Sequence, residues 1–196
     1  MTIARLAGSL AYASIVTLML ASSTLLAGTQ THDDHGGALS KQHNPSPLEN
    51  ELVQAVRDAT ERFKDVGRAE LEGYALLFGC VSGGDFGAMG MHFVNLALVG
   101  DGEIDVKRPE IVLYEPTPAG GVRITGADFL VLAADWDAKH SAPPELMGQL
   151  FHLFESPNRF GLPNFYTLHV WAWKDNPNGT FVNWNPDVSC DAFNPR

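Results

Sequence analysis

The sequence predicts a single α+β domain in which an antiparallel sheet is packed by two main helices. Three observations support this prediction. At the start of the domain, apolar residues recur at the spacing of one helix face. Further along, they occur at every second residue, and the connections between successive strand-like segments are short. Short connections indicate antiparallel neighbours, because parallel strands need a long crossover between them.

The first helix is predicted over residues 47–66. Ser46, Pro47 and Glu49 have the pattern of an N-cap, a proline in the first turn and a capping box. Gly67 is a natural C-terminal stop. Between these signals, apolar residues recur at helical spacing, at Leu48, Leu52, Val56 and Phe63.

The following segments alternate apolar and polar residues, which is typical of strands. We expect strands over residues 91–99, 111–115, 122–125 and 129–134. Two prolines then precede a second helix, predicted over residues 144–155 from the spacing of its leucines. Residues 165–174 and 180–184 are predicted to form a hairpin, because the Asp-Asn-Pro-Asn-Gly sequence between them is a strong turn signal.

The N-terminus has the pattern of a secretory signal peptide. Arg5 is followed by an uncharged apolar run that ends in small residues, so we expect cleavage after Ala27. The alternative is an uncleaved anchor, because the uncharged run is just long enough to span a bilayer. Residues 28–45 then form a tail rich in His, Asp and Gly, and residues 46–196 form the domain. The expected location is periplasmic or extracellular, with no stable membrane span after cleavage.

Charge and cysteine content exclude several classes of function. The chain has 13 Lys and Arg against 23 Asp and Glu, a net charge of −10. It therefore lacks the basic footprint that nucleic acids and anionic membranes require. Its two cysteines are too few for a four-thiolate zinc site. In an oxidising compartment we expect a Cys80–Cys190 disulfide. The alternative is a Cys80 nucleophile, although nothing nearby in the sequence suggests an activating base.

A metal site is the leading functional hypothesis. Asp135 follows a predicted strand and His140 could fold back towards it, while His92 and His169 lie on other predicted strands. Carboxylate and imidazole donors suit Zn²⁺, Mn²⁺ or Fe²⁺, with Glu115 as a further ligand or a general base. The alternative is that these carboxylates are solvated and the histidines are hydrogen-bonded in a core.

The N-terminal tail is a second candidate for metal binding. It contains three histidines and two aspartates within a short stretch, and imidazole binds Cu²⁺ and Zn²⁺ well. A mobile tail supplies no fixed geometry, so any such binding would be weak. The three histidines are His32, His35 and His43.

The predicted C-terminal hairpin supplies a different hypothesis. Trp171 and Trp173 share one face of its first strand and Tyr166 is close in sequence. Neighbouring indole rings on one face could stack on a flat ligand such as a sugar. The chain would then be a non-catalytic binding module for glycan or another envelope component. The alternative is that these rings belong to the core.

Three segments carry a resemblance. Residues 87–95 (GAMGMHFVN), 114–116 (YEP) and 168–174 (LHVWAWK) resemble segments of a group of exported bacterial proteins of unassigned function. The likeness runs from about Val53 to Cys190 and implies a bacterial envelope protein, with no activity or cofactor attached.

Taken together, these patterns predict an exported protein that binds a divalent metal or small ligand through His and Asp residues. They indicate no reaction and no oligomeric state.

Overall fold

A six-stranded antiparallel sheet forms the centre of the protein in a computed structural model that describes residues 45–194. The described residues belong to one compact unit with helices and strands, in agreement with the predicted α+β class. The helices are α1 (Pro47–Thr60), α2 (Val66–Leu71), α3 (Leu96–Val99) and α4 (Ala133–Asp137). The predicted signal peptide and almost all of the His/Asp/Gly-rich tail lie outside the described residues.

The strands of the main sheet follow the order β1-β2-β3-β4-β8-β7, and β5 and β6 form a separate two-stranded sheet. The bounds are β1 (Ala75–Ser82), β2 (Ala88–Val94), β3 (Ile111–Pro116), β4 (Val122–Leu132), β5 (Glu145–Leu146), β6 (Gln149–Leu150), β7 (His152–Phe154) and β8 (Phe165–Val170). Every pairing is antiparallel. Among residues 45–194, no helix is long and apolar enough to cross a membrane.

Helix α1 begins where the sequence predicts. The Ser46 hydroxyl accepts a hydrogen bond from the Glu49 amide at 3.2 Å, and the Glu49 carboxylate accepts one from the Ser46 amide. This capping box satisfies two amides that a helix start otherwise leaves unpaired. The helix ends earlier than predicted, at Thr60, and a 3₁₀ turn links it to α2. Gly67 therefore lies inside α2 and does not stop the first helix.

The predicted second helix over residues 144–155 is not confirmed. These residues form β5, β6 and β7, and Met147 and Gly148 turn the chain between the first two of them. Both turn residues have positive φ, 49° and 85°, which a right-handed helix cannot contain. The leucines whose spacing suggested a helix lie in these short strands instead.

Four strand predictions are also corrected in detail. The predicted strands at 122–125 and 129–134 belong to one long strand, β4, which ends at Leu132, so that residues 133 and 134 lie in α4. The strand predicted over 91–99 ends at Val94, because the Asn95 side chain accepts hydrogen bonds from the next two amides and caps α3. The second strand of the predicted C-terminal hairpin, at 180–184, is absent from the described structure.

The two faces of the sheet have different roles. One face packs under α1, the 3₁₀ turn and α2, with Leu52, Val56 and Phe63 fully buried against it. Residues of the other face alternate with these along each strand, as side chains on a strand must. This second face, called here the site face, carries a smaller apolar cluster together with four buried polar residues, His92, Asp128, Thr167 and His169.

Candidate metal site

Three strands place His92, Asp128 and His169 on the site face. Asp128 of β4 and His169 of β8 are direct partners in the strand register. His92 lies on β2, which is separated from β8 by two strands, or about 14 Å along a flat sheet. The ring centroids of His92 and His169 are nevertheless 5.8 Å apart. The sheet therefore curls towards this face and brings the three side chains together.

This His92–Asp128–His169 group has the composition and spacing to hold a metal ion. Each residue offers one ligand atom, and the three atoms lie within 4.8 Å of one another. All three residues are buried, with exposed fractions of 2–3%. Metal–ligand bonds for imidazole and carboxylate are about 2.0–2.2 Å, so small side-chain adjustments would close the group around an ion.

The orientation of His92 is set by its own strand. Its Nδ1 lies 3.1 Å from the carbonyl oxygen of Gly90. A proton on Nδ1 makes this a hydrogen bond and leaves the lone pair on Nε2, the arrangement that metal-binding histidines commonly show. Burial lowers the pKa of His92 to about 4, with a further contribution from His169. His92 is therefore neutral at physiological pH and able to act as a ligand.

Gly90 is required at its position for a steric reason. Its φ is +88°, and a Cβ built there would lie 2.4 Å from the carbonyl oxygen of Tyr114 on the neighbouring strand. Only glycine allows this approach without displacing β3. The glycine two residues before His92 thus contributes to the orientation of the ring.

Asp128 is held as a carboxylate. The hydroxyl of Thr167 donates to Oδ1, and Nδ1 of His169 lies 3.3 Å from Oδ2. Burial on its own would raise the pKa of Asp128, but the imidazole of His169 and the Thr167 hydrogen bond outweigh it and lower the pKa. A buried anion is thereby available at the centre of the group.

His169 has unused hydrogen-bonding capacity. Within residues 45–194, neither of its ring nitrogens makes a hydrogen bond, although Nδ1 lies 3.3 Å from Oδ2 of Asp128. Leaving a buried polar atom unpaired costs about 1–3 kcal/mol. The Oδ1 atom of Asn183, whose residue lines the adjoining pocket, also has no partner in the described part of the chain. A ligand at this position would satisfy atoms that the protein itself leaves unpaired.

A narrow pocket opens next to the group. The cavity volume is about 20 Å³, which is room for about one water molecule. The polar residues that line it are the three members of the group with Thr167 and Asn183. The remaining walls are apolar and consist of Phe78, Met89, Ile111, Leu130, Phe154, Phe160, Leu162 and Phe165.

A second buried acid lies near the group but is of a different kind. Glu110 is 2% exposed, and its Oε2 accepts a hydrogen bond from the Leu130 amide at 3.0 Å. Burial raises the pKa of Glu110 to about 8, and the charge of Asp128 adds to this effect. At neutral pH the Glu110 side chain is therefore mainly protonated and poorly suited to be a metal ligand.

Two of the four metal ligands expected from the sequence lie elsewhere. Asp135 is exposed in α4, since residues 133–137 form a helix and do not continue the strand. His140 is also exposed, and its ring stacks on Trp136 with a centroid distance of 3.8 Å. His92 and His169 do come together, but their carboxylate partner is Asp128.

Glu115 is a buried carboxylate that pairs with two cationic side chains nearer the surface. Its carboxylate contacts the guanidinium of Arg123 and lies 2.7 Å from Nζ of Lys174. Glu115 is 5% exposed and joins β3 to the segment after β8. These contacts give the side chain a structural role.

The aromatic residues of the hairpin hypothesis lie in separate environments. Trp171 is buried and its indole N–H donates to the carbonyl of Val182. Trp173 donates to the Thr60 hydroxyl, because the chain turns after β8 and directs this ring towards the helices. Tyr166 is also buried and donates to the Asp137 carboxylate. Glycan binding through these residues stays a prediction, and nothing in their placement favours it.

The predicted Cys80–Cys190 disulfide is confirmed. It joins β1 to the C-terminal segment and spans 110 residues of sequence. The described part of the chain contains no free cysteine, so Cys80 is not a nucleophile in this state.

Asp128 is the member of the group that sequence reasoning missed. It is the one charged residue in the apolar run from Ile124 to Leu132. A lone carboxylate in the middle of a buried strand is unusual unless it is paired, and this signal could have identified Asp128.

Comparison of the chain with models of protein families, with curated proteins and with solved structures finds no match. The function must therefore be inferred from the geometry of the group.

Proposed function

We propose that this chain is an exported bacterial protein that binds one divalent metal ion through His92, Asp128 and His169. The observation that carries the proposal is the burial of three ligand atoms within 4.8 Å of one another, with both ring nitrogens of His169 lacking a partner in the described structure. Buried polar groups are almost always satisfied. An ion supported by the three ligands would pair with one ring nitrogen of His169 and balance the Asp128 carboxylate.

The ligand chemistry favours a borderline divalent ion. Two imidazoles and one carboxylate suit Zn²⁺, Fe²⁺ or Mn²⁺ and leave coordination positions free for water or a small molecule. A thiolate-dependent site is not supported, because both cysteines are joined in the disulfide. Thr167 and the Gly90 carbonyl would act as outer partners that orient Asp128 and His92.

Export is supported by two independent features. The N-terminus has the order of basic, apolar and small residues that defines a signal peptide. The Cys80–Cys190 disulfide is compatible with an oxidising compartment. The resemblance of three segments to exported bacterial proteins agrees with both.

Calorimetric titration with Zn²⁺ tests the proposal. The full chain should carry His32→Gln, His35→Gln and His43→Gln, so that the tail cannot bind the ion. We expect one zinc per chain with a release of protons at low pH, because the ligands must be deprotonated. The absence of any binding by this folded variant would refute the proposal.

Single substitutions in the same background locate the site. His169→Gln and Asp128→Asn should each weaken zinc binding by at least about 100-fold, since they remove a direct ligand. His140→Gln is the matched control, because His140 is exposed and stacked on Trp136. It should bind zinc as the parent does. Near-UV circular dichroism of each variant separates loss of a ligand from loss of the fold.

A second candidate function uses the Asp128–His169 pair without a metal. The 3.3 Å distance between Asp128 Oδ2 and His169 Nδ1 resembles the contact that orients a histidine general base. In the described part of the chain, no serine or cysteine lines the pocket beside this pair, and the hydroxyl that does, Thr167, donates to Asp128. This candidate predicts that the zinc titration shows no binding.

A further inference from the structure

The cavity beside the metal group limits what can complete the coordination of an ion. Its volume of about 20 Å³ is room for about one water molecule. The three members of the group line the cavity, together with Thr167, Asn183 and a wall of apolar side chains. A further ligand of the ion must therefore fit into the space of one water molecule.

Asn183 brings an unpaired oxygen atom to this cavity. Its Oδ1 atom is shielded from solvent and has no hydrogen-bond partner within residues 45–194. A side-chain amide oxygen accepts hydrogen bonds and does not donate them. A buried acceptor without a donor costs about 1–3 kcal/mol. A water molecule in the cavity that donates to this oxygen would remove that cost.

The backbone that carries Asn183 is held on both sides of this residue. The carbonyl oxygens of Val182 and Trp184 both accept from the side-chain amide of Asn176, at 3.1 Å each. One side chain thus fixes the two peptide groups that flank Asn183. This arrangement restricts the positions that the Asn183 side chain can reach.

The same segment is attached to the strands of both proposed histidine ligands. The indole N–H of Trp171 donates to the Val182 carbonyl at 2.6 Å, and the Trp171 ring lies 5.9 Å from the ring of His169. Further along the segment, Asn185 pairs with Ala88 through two backbone hydrogen bonds. Ala88 begins β2, the strand of the other histidine. The fold therefore positions the unpaired amide relative to the metal group.

The size of the cavity also limits the coordination number of the ion. Three ligand atoms come from the group, and one water molecule adds a fourth. Zn²⁺ commonly has three protein ligands and one water in its open sites, in tetrahedral geometry. Octahedral ions such as Mg²⁺ and Mn²⁺ need six ligand atoms, several of them usually from water. A cavity of this size does not supply them.

We propose that the site holds a four-coordinate Zn²⁺ ion whose fourth ligand is one water molecule that donates a hydrogen bond to Oδ1 of Asn183. This inference rests on the proposed metal site and adds to it a coordination number, a ligand class and a positioning residue. A ligand at the fourth position must be as small as water and must carry a proton to donate. Fluoride meets the first condition only, and azide meets neither.

Cobalt is the probe for the coordination number. Co²⁺ replaces Zn²⁺ in many sites, and it absorbs visible light strongly in a tetrahedral site and weakly in an octahedral one, because a centre of symmetry forbids the transitions. The full chain with its three tail histidines replaced by glutamine should bind one Co²⁺ and show the strong bands. Weak bands from a bound ion would overturn the four-coordinate geometry.

Water enriched in oxygen-17 tests the identity of the fourth ligand. Its nuclear spin should broaden the low-temperature electron paramagnetic resonance signal of the Co²⁺-loaded chain, because the oxygen is bound to the metal. A signal that shows no broadening would overturn the bound water and assign the fourth position to Asn183 itself.

Anion titrations of the Co²⁺-loaded chain test the ligand class and need no variant in the site. Neither fluoride nor azide should change the visible spectrum. A change with azide would overturn the limit on size, and a change with fluoride would overturn the need for a proton donor. Asn183→Ala removes the acceptor and enlarges the cavity, so this variant should bind azide and develop a new charge-transfer band. A folded Asn183→Ala chain that still excludes azide would contradict the placement of Asn183.

Three variants test Asn183 through zinc affinity in calorimetric titration. Asn183→Leu keeps a similar volume and removes the acceptor, so it should weaken zinc binding about 10- to 100-fold. Asn183→Asp keeps an oxygen at this position and should bind zinc at least as tightly as the parent does. Asn178→Leu is the matched control, because Asn178 is an exposed asparagine of the preceding turn, and its zinc affinity should not change.

The outcomes separate this inference from the proposed function. Equal zinc affinity in Asn183→Leu and the parent overturns the role of Asn183 and leaves the metal site intact. A folded chain that binds neither zinc nor cobalt overturns both proposals.

Discussion

The hydrogen bond from Thr167 to Asp128 gives a sharp prediction, because the same sheet contains a matched control. Thr167 donates to Oδ1 of a fully buried carboxylate. Thr125 is equally buried on β4, but its hydroxyl has no partner within residues 45–194. Substitution of either residue by valine keeps the shape of the side chain and removes only the hydroxyl.

The expected magnitudes follow from this difference. A hydrogen bond to a charged group contributes about 1.5–3 kcal/mol, so Thr167→Val should lower the free energy of unfolding by about that amount. The Asp128 carboxylate would also lose the partner that orients it, and zinc affinity should fall about 10- to 100-fold. Thr125→Val removes an unpaired hydroxyl, so stability should be unchanged or slightly raised and zinc affinity should not change.

Urea denaturation and zinc calorimetry on the two variants provide the assay. The reasoning is refuted if Thr167→Val binds zinc as tightly as the parent protein does. An equal loss of zinc affinity in Thr125→Val would also refute it, because the effect would then come from general loosening of the sheet. Both variants should be folded with the disulfide intact before they are compared.

Three further predictions concern stability. The pKa of Glu110 is about 8 in the folded chain, against an ordinary value near 4.5. Between pH 4.5 and pH 8 the folded state therefore binds one more proton than the unfolded state, and the free energy of unfolding should fall as the pH rises through this range. Glu110→Gln should remove most of that fall, up to about 5 kcal/mol by pH 9, in denaturation curves measured at several pH values; parallel pH profiles for the two proteins would contradict the assignment. Replacing Cys80 and Cys190 together by alanine should lower the free energy of unfolding by about 2–5 kcal/mol in urea, and no change would argue against the disulfide. Leu52→Ala should cost about 2–5 kcal/mol because Leu52 is fully buried, whereas Leu48→Ala at a half-exposed position should cost less than about 1 kcal/mol in the same assay.

Local signals in the sequence predicted part of the fold well. The capping box at Ser46 and the apolar stripe through Leu52 and Val56 depend on residues a few positions apart, and the structure confirms both. The alternation along β8 also placed His169 and Leu168 on opposite faces, as observed. These features could be read because short-range geometry alone determines them.

The second helix was predicted wrongly for a physical reason. The leucines between residues 144 and 155 have helical spacing, but a two-residue turn at Met147 and Gly148 overrides it. Residue spacing alone could not show that this segment would form short strands. Tertiary context decided the outcome.

The candidate site was only half predictable because it is assembled from distant strands. The pairing of Asp128 with His169 depends on the β4–β8 register, and the approach of His92 depends on the curl of the sheet. Neither property is encoded in local spacing. The sequence therefore identified two of the three members and paired them with two exposed residues, Asp135 of α4 and His140 just after that helix.

The central claim is that the domain holds a metal ion at the His92–Asp128–His169 group. Elemental analysis of the exported full chain, with the three tail histidines replaced by glutamine, tests it most directly. We predict close to one equivalent of a first-row divalent metal per chain, and a loss of that metal when His92→Gln and His169→Gln are added. A folded, exported chain without stoichiometric metal, or one that keeps its metal after both substitutions, would contradict the claim.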